Sequence, residues 1–510
     1  MKKHPFFDSL AWIFSIGSLF FFPTISSAGG VSGGSQFQAG DDVGATFFPV
    51  PALSDALPQR NVLFIVVDDL RPELGVYGVE AISTPNIDAL ARQGVTFTRA
   101  YTQMATCSPS RTSLLTGLRP DTAKVTDLKT HFRDTVPSVV TLPEYFKNLG
   151  YATKGIGKIY HPGLNDGKSW SLPFVETSGA TPPSGADGKK LPFAAVDLPT
   201  SRFPDGVAAD QAIAAIRALR NAPFFIAVGF KKPHLPFVAP PAFFDMYDKN
   251  AIPEAINPFR ALGAPTIAFE NLSELKQYSG IARANLPGNE SLRRDLKRAY
   301  YAATSFVDAQ IGRVLAELEY WGLSENTVIV FWGDHGWHLG EQGDWGKHTN
   351  FEVGARVPLI IKAPGQPSNK TTGAIVELVD LYPTICDLAG VPIPTTQAHG
   401  GYPIEGDSLG NLISNPAAQS RRGAFSQWRR GGYDGHSLRT DRYRFTEWVM
   451  TSNPRNVIYE LYDHSSDPDE TINVSSDFRY SAILPDLKAA LAAGGTVDLP
   501  STLWPGVGTR

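Results

Sequence analysis

Residues 62–67 (VLFIVV) form an unbroken apolar run that stops at Asp68-Asp69. A run without alternation predicts a strand buried on both faces, as in a parallel sheet. Residues 223–230 (PFFIAVGF), the run TVIVFWG ahead of Asp334-His335, and 357–364 (VPLIIKAP) have the same character. YATKGIGKIYHPG adds a strand and loop. Between these runs, apolar positions recur at helical spacing over 86–93, 108–117, 138–150 (with Gly150 as a C-cap), 210–220 and, at length, 292–323. Strands that alternate with helices predict an α/β fold, a mostly parallel sheet with helices on both faces. From about residue 400 the runs become short and alternating (GAFSQWRR, GHSLRTDRYRFTEWV, VIYELYDHSSDP), with a last helical stretch near 481–493. This predicts a smaller C-terminal subdomain with an antiparallel sheet. The Pro- and Gly-rich stretch 173–204 reads as a long loop.

The first residues have a different texture. Lys2 and Lys3 precede an uncharged, mostly apolar run over 10–22, and Ser26-Ser27-Ala28 offers small residues for cleavage. This is the layout of a signal peptide, and the run is shorter than the ~20 residues of a spanning helix. The expected organisation is therefore 1–28 signal peptide, 29–60 lead segment, 61–400 catalytic domain and 401–510 C-terminal subdomain. The mature chain is expected to be secreted or periplasmic, or in a lysosomal-type compartment in a eukaryote, with no membrane span after cleavage. Charge changes little in this picture: 46 Lys and Arg against 50 Asp and Glu give −4, which argues against a nucleic-acid partner. Two cysteines in 510 residues exclude a disulfide scaffold. Cys386, in the amphipathic pattern VELVDLYPTICDLAGV, reads as a small core residue; a Cys107–Cys386 bridge stays open.

Candidate chemistry collects at strand ends. In open α/β sheets ligands bind beyond the carboxyl ends of strands. Asp68, Asp69 and Asp334 would meet there, and carboxylates at close range repel unless a cation lies among them. Oxygen donors favour Ca²⁺ or Mg²⁺; His335 is a softer donor. An acidic pair alone reads first as turn or N-cap chemistry, and the second pair at another buried strand end turns the reading toward a cluster. In TCSPSRTSLLTG, Ser108 or Ser110 can cap a helix whose first turn holds Arg111, a fork suited to two oxygens of a sulfate or phosphate. Spacing alone leaves Cys107 either a buried thiol or a nucleophile. Lys158 and His161 (GKIYHP), His234 (KKPHLPF), and Lys347 and His348 (GDWGKHTNF) lie beside Pro or Gly turns, where loops on a rigid scaffold carry function.

CSPSR followed by TSLLTG, with VVDDLR, GIGKIYHPG, KKPHLPF and GDHGWHLGEQGDWGKHTNF in this order, resembles the type I, formylglycine-dependent sulfatases. The flanks DLRPELGVYG, TGLRPDT and ELVDLYPTICDLAGVP are most similar to the iduronate-2-sulfatase branch. The resemblance spans roughly residues 61–473. It implies an alkaline-phosphatase-like sandwich and oxidation of Cys107 to Cα-formylglycine by a formylglycine-generating or equivalent maturation enzyme, which reads Cys107, Pro109 and Arg111. It implies Ca²⁺ on Asp68, Asp69, Asp334, His335 and the modified Cys107. It also implies sulfate contacts from Arg111, Lys158 and Lys347, an assisting His161, proton donation by His234, and a pocket lined by Trp337 and His338. The implied substrate is a sulfated glycan, with 2-O-sulfate on a uronic acid residue foremost. Another sulfated polysaccharide such as algal ulvan, or a phosphate or phosphonate ester, is the alternative.

Overall fold

The computed structural model describes residues 59–503 apart from 282–283, 419, 421–422 and 495–497. The expected signal peptide and all but the last two residues of the lead segment lie outside the described residues. The strands are β1 (Asn61–Val67), β2 (Val95–Tyr101), β3 (Ala152–Gly157), β4 (Phe193–Ala195), β5 (Phe224–Phe230), β6 (Phe237–Ala239), β7 (Thr327–Gly333), β8 (Arg356–Lys362), β9 (Lys370–Glu377), β10 (Ala424–Arg430), β11 (Tyr433–Arg439), β12 (Tyr443–Met450) and β13 (Val457–Asp463).

Seven of them form one sheet in the order β3-β5-β1-β7-β8-β2-β9. β8 is antiparallel to β7 and β2, and the other pairings are parallel. Along β1 successive side chains enter opposite cores: Val62, Phe64 and Val66 one, Leu63, Ile65 and Val67 the other. A strand sealed on both sides needs apolar residues at every position, which is why VLFIVV shows no alternation. Helices Cys107–Thr116, Leu142–Asn148 and Leu381–Ala389 cover the first face. Helices Pro85–Ala91, Pro204–Leu219 and Glu290–Tyr320 cover the second. The helix expected over 210–220 starts earlier, with Pro204 at its first position, where the missing N–H costs nothing.

β10 to β13 form a four-stranded antiparallel sheet, its core shared with helix Leu484–Ala493. Its first strand hydrogen-bonds to the main unit: Gln427 N donates to the Gln103 carbonyl at 2.9 Å and Phe425 N to Glu377 Oε1 at 2.9 Å. Cys386 and Cys107 are both free and buried, so the bridge left open by the sequence is not formed. Among the described residues no helix is long and apolar enough to cross a membrane.

The pairing register sets the site. Val67 lies opposite both Phe230 and Gly333, and Gly157 opposite Gly229. The carboxyl ends of β3, β5, β1 and β7 are thus level. Gly157 has φ +72°, and a Cβ there would lie 2.1 Å from the Gly229 carbonyl oxygen. Only glycine lets the chain turn from β3 into Lys158 at this spacing.

Candidate active site

Asp68 and Asp69 follow β1 directly, Lys158 follows β3, the Lys231–His234 turn follows β5, and Asp334-His335 follows β7. Asp69 adopts φ +58°, a left-handed conformation that non-glycine residues hold only where surroundings enforce it. Here its N–H donates to Asp334 Oδ1 at 3.1 Å, and its carbonyl accepts from Tyr300 Oη at 2.8 Å. Cys107 is the first residue of helix Cys107–Thr116. The expected capping by Ser108 or Ser110 is not what forms. Thr106 is the N-cap, without a side-chain capping bond, and Ser110 Oγ donates to the Asp334 carbonyl. That bond ties the helix start to the β7 end and leaves Cys107 at the centre.

Four groups converge on Cys107 Sγ: Asp68 Oδ1 at 3.3 Å, His335 Nε2 at 3.3 Å, Lys158 Nζ at 3.4 Å and Lys347 Nζ at 3.7 Å. Lys158 Nζ also pairs with Asp68 Oδ2, and Lys347 Nζ donates to Asp69 Oδ1 at 2.7 Å. Burial would raise the Asp68 carboxyl, but Lys158, His234 and Arg111 hold it well below the ordinary range. Asp69 and Asp334 go the other way. Burial, with the neighbouring carboxylates, pushes Asp69 well up despite Lys347, and burial lifts Asp334 to about 6 despite Arg111. The site therefore carries more acid than its own cations neutralise. Asp69 Oδ2 is buried without a hydrogen-bond partner. Ligand atoms of Asp68, Cys107, Asp334 and His335 lie within 4.8 Å of one another. His335 Nδ1 is satisfied by the Gly336 carbonyl at 3.0 Å, leaving Nε2 to the cluster. These residues fit a bound divalent cation: hard oxygen donors, one orphaned carboxylate oxygen and an uncompensated charge.

The Cys107 thiol itself is held well above its ordinary range, by burial first and Asp68 second. A thiol kept protonated is a poor nucleophile. Burial, then Lys347 and Lys158, lowers His234 to about 3; burial, then Lys158, lowers His161 to about 4. Both rings are neutral near pH 7.

Three expectations need correction. Arg111 is fully buried, with Nε on Asp334 Oδ2 (2.9 Å), Nη2 on Asp68 Oδ1 (3.1 Å) and Nη1 on the Lys158 and Ile159 carbonyls. It braces the carboxylates from beneath and has no open fork for a sulfate. Trp337 is fully buried under Lys347, whose Nζ lies 5.3 Å from the indole centroid. His338 is also fully buried, its ring nitrogens bonded to the Glu341 carbonyl (3.1 Å) and Thr349 Oγ1 (2.8 Å). Neither residue lines a pocket; they pin the loop that carries Lys347.

Other residues enter the site that no strand-end pattern pointed to. Glu274 places Oε1 3.4 Å from His234 Nε2 and Oε2 3.3 Å from Lys347 Nζ. Burial would raise it, but Lys347 and His234 bring it to about 2. Tyr278 is near enough to Glu274 and Asp69 for their charges to add to the rise that burial gives its phenol. Arg71 Nη1 donates to the Trp337 carbonyl at 3.1 Å, and its N–H to Tyr300 Oη at 3.1 Å, behind Asp69. His348 closes the rim, stacked on Trp428 at 4.7 Å and 3.3 Å from Thr106 Oγ1.

A mixed sheet between helices, with acids, lysines and histidines gathered at its carboxyl edge, defines an alkaline-phosphatase-like hydrolase. The sulfatase family model matches residues 60–391, so the chain belongs to the sulfatases and is a sulfuric ester hydrolase. A second model, the C-terminal part of N-sulphoglucosamine sulphohydrolase, matches 340–495. Mouse (Mus musculus) iduronate 2-sulfatase is 33% identical over 519 residues, covering 85% of this chain and 94% of its own. A solved structure in complex with its substrate D-glucosamine-2-N,6-O-disulfate superposes with a TM-score of 0.71 at 24% identity, covering 85% of this chain and 97% of that one. The phosphonate monoester hydrolase of Silicibacter pomeroyi superposes with a TM-score of 0.70 at 25% identity, covering 85% and 95%.

Proposed function

We propose that this protein is an exported, calcium-dependent sulfatase that removes a 2-O-sulfate from a uronic acid residue of a sulfated glycan: R–O–SO₃⁻ and water give R–OH, sulfate and a proton. The observation that carries the reading is the convergence of two lysines, a carboxylate and a histidine on the one Cys107 sulfur. The mouse iduronate 2-sulfatase likeness supports the sugar. Converted to Cα-formylglycine by a maturation enzyme, Cys107 would supply an aldehyde hydrate as nucleophile. A thiol held protonated by burial and Asp68 supports a residue that works after conversion rather than as a thiolate. Asp68, Asp69, Asp334 and His335, with the converted Cys107, would hold Ca²⁺, which supplies positive charge for the carboxylates and the sulfate.

The remaining roles belong to the chain itself. Lys158 and Lys347 flank Cys107 and would each take a sulfate oxygen, lowering the charge built up at sulfur. Arg111 positions Asp68 and Asp334. The Nδ1–H of His234 is held by the Leu235 carbonyl at 2.6 Å, so Nε2 faces the site, 3.4 Å from Glu274 Oε1; there it would first gain a proton, favoured by Glu274 and by the charge of a bound sulfate ester, and then pass it to the departing alcohol oxygen. His161, beside Lys158, can exchange a proton with the nucleophile. Residues 61–400 would supply this machinery and 401–510 its outer wall.

A phosphonate or phosphate ester is the second reading, favoured by the TM-score of 0.70 to a phosphonate monoester hydrolase. Aryl sulfate, aryl phosphate and aryl phosphonate assayed side by side separate the two. Higher kcat/KM on sulfate, with release from a 2-O-sulfated uronate disaccharide, is expected; faster phosphonate turnover overturns the assignment.

A further inference from the structure

A carboxylate beside the groups that receive an anion weakens their hold on it. Glu274 is placed in that position. Its Oε2 lies 3.3 Å from Lys347 Nζ and its Oε1 3.4 Å from His234 Nε2, the groups aimed at a sulfate oxygen and at the leaving oxygen. A proton partner for His234 needs only the second contact. The first sets a further negative charge against a lysine that already donates to Asp69 Oδ1 at 2.7 Å. Glu274 is also the most exposed of the four carboxylates, 16% against 0–1% for Asp68, Asp69 and Asp334. With His234, 27% exposed, it faces the open side from which an ester arrives.

The chain is shaped to hold it there. The Glu270 carboxylate accepts from the Ser273 N–H at 2.9 Å and the Glu274 N–H at 3.2 Å. Asp344 accepts from the N–H groups of Glu270 and Asn271, both at 2.9 Å. Asn271 and Leu272 adopt φ +63° and +58°, which residues other than glycine hold only where surroundings enforce it. Asp344 stands three residues before Lys347, so one loop anchors both sides of the Glu274–Lys347 pair.

Glu274 is ionised: burial would raise its carboxyl, but Lys347 and His234 bring it to about 2. With the histidine rings neutral, Arg111, Lys158 and Lys347 then stand as three cations against the four carboxylates. A divalent cation among the carboxylates turns that balance to one net positive charge, the complement of a sulfate ester's single negative charge. Without Glu274 the balance would be two, the complement of a phosphate monoester, whose second pKa of about 6 makes it a dianion at pH 8.

We propose that Glu274 is a specificity-determining residue that reserves this site for esters with one negative charge on the transferred group and helps expel the doubly charged sulfate product. The proposal rests on the sulfatase reading of the Cys107 site and adds the feature by which that site tells a sulfate ester from a phosphate monoester.

The test compares aryl sulfate, an aryl methylphosphonate (also a monoanion) and aryl phosphate at pH 8, on converted protein supplied with calcium. Glu274→Gln should raise kcat/KM on phosphate relative to sulfate by about 10- to 100-fold, the effect of one unit charge a few ångströms away, chiefly through KM. The sulfate-to-phosphonate ratio should stay within about twofold, and Glu274→Asp should keep most of the wild-type selectivity. Inhibition by inorganic sulfate should tighten at least about tenfold in Glu274→Gln. A merely structural role would move all three substrates alike, and an unchanged sulfate-to-phosphate ratio overturns the proposal. Failure of the wild type to hydrolyse aryl sulfate would instead count against the reaction. In that case calorimetry of inorganic sulfate against methyl sulfate still decides: tighter binding of the dianion alone in Glu274→Gln supports the proposal, and equal changes for both overturn it.

Discussion

Two buried clusters of acids and bases in this molecule have nearly the same ingredients and opposite characters. One is the Cys107 cluster. The other lies between the main sheet and the C-terminal sheet, where Glu352 and Glu470 meet Arg439, Arg444, His464 and Tyr101. Ligand atoms of Glu352, His464 and Glu470 also lie within 4.8 Å of one another, so proximity alone would make both metal sites. The hydrogen bonds separate them. Glu352 accepts from Tyr101 Oη (2.8 Å), Arg439 Nε (3.1 Å) and Arg444 Nη2 (2.5 Å). Glu470 accepts from Arg444 Nε (2.6 Å), His464 Nε2 (3.0 Å) and the Glu352 N–H (2.7 Å). Burial would raise both carboxyls, yet the arginines, and His464 beside them, hold both below the ordinary range. At Cys107 an oxygen is orphaned and two carboxyls are pushed up. A saturated cluster locks two sheets together, and an under-neutralised one is arranged for something that comes from outside.

The contrast can be broken at several points. Cys107→Ala should abolish sulfate release, at least ~10³-fold as for loss of a nucleophile, while the melting temperature stays within a few degrees. Wild-type turnover by this variant would remove Cys107 from the chemistry. Asp69→Asn should lower kcat at least ~10²-fold yet leave the metal-free protein as stable as wild type or more so, because a carboxyl pushed up by burial strains the fold when ionised. Calcium should raise the melting temperature of wild type and not of this variant, as read by calorimetry. Glu470→Gln should do the reverse, costing roughly 3 kcal/mol in denaturant unfolding by leaving Arg444 partly unpaired, with KM unchanged in the folded protein. A destabilised Asp69→Asn and an unaffected Glu470→Gln would erase the distinction.

The smallest effect concerns Glu460, which accepts from Trp448 Nε1 and Tyr462 Oη, both at 2.6 Å. Burial raises it to about 7. An acid with a raised folded value stabilises most below the unfolded carboxyl range. That contribution is lost as pH rises from about 4.5 through 7, on the order of 1–3 kcal/mol. Glu460→Gln should flatten the stability profile over this window.

The machinery legible in the sequence is the part attached to strand ends. Uninterrupted apolar runs marked β1, β5 and β7; Asp68-Asp69 and Asp334-His335 follow two of them at once and His234 follows the third after a three-residue turn, so these candidates stand out in the sequence. β2 and β9 escaped notice because VTFTRAY and KTTGAIVE mix polar and apolar positions, as strands do toward a sheet edge, and a bulge breaks their register. Glu274 and Tyr278 escaped for a different reason. They sit in an irregular stretch with neither periodicity nor a strand end to locate it, and only the folded chain brings that stretch over Lys347 and His234. Trp337 and His338 misled in the opposite sense: adjacent to a site residue in sequence, they turn inward to hold the loop.

The most direct measurement is sulfate release as a function of Cys107 conversion, read on the same preparation by the mass of the Cys107 peptide. The account predicts that kcat on aryl sulfate rises in proportion to the fraction carrying the aldehyde and extrapolates to zero for the unmodified thiol. Full turnover by protein whose Cys107 is entirely unmodified would contradict it.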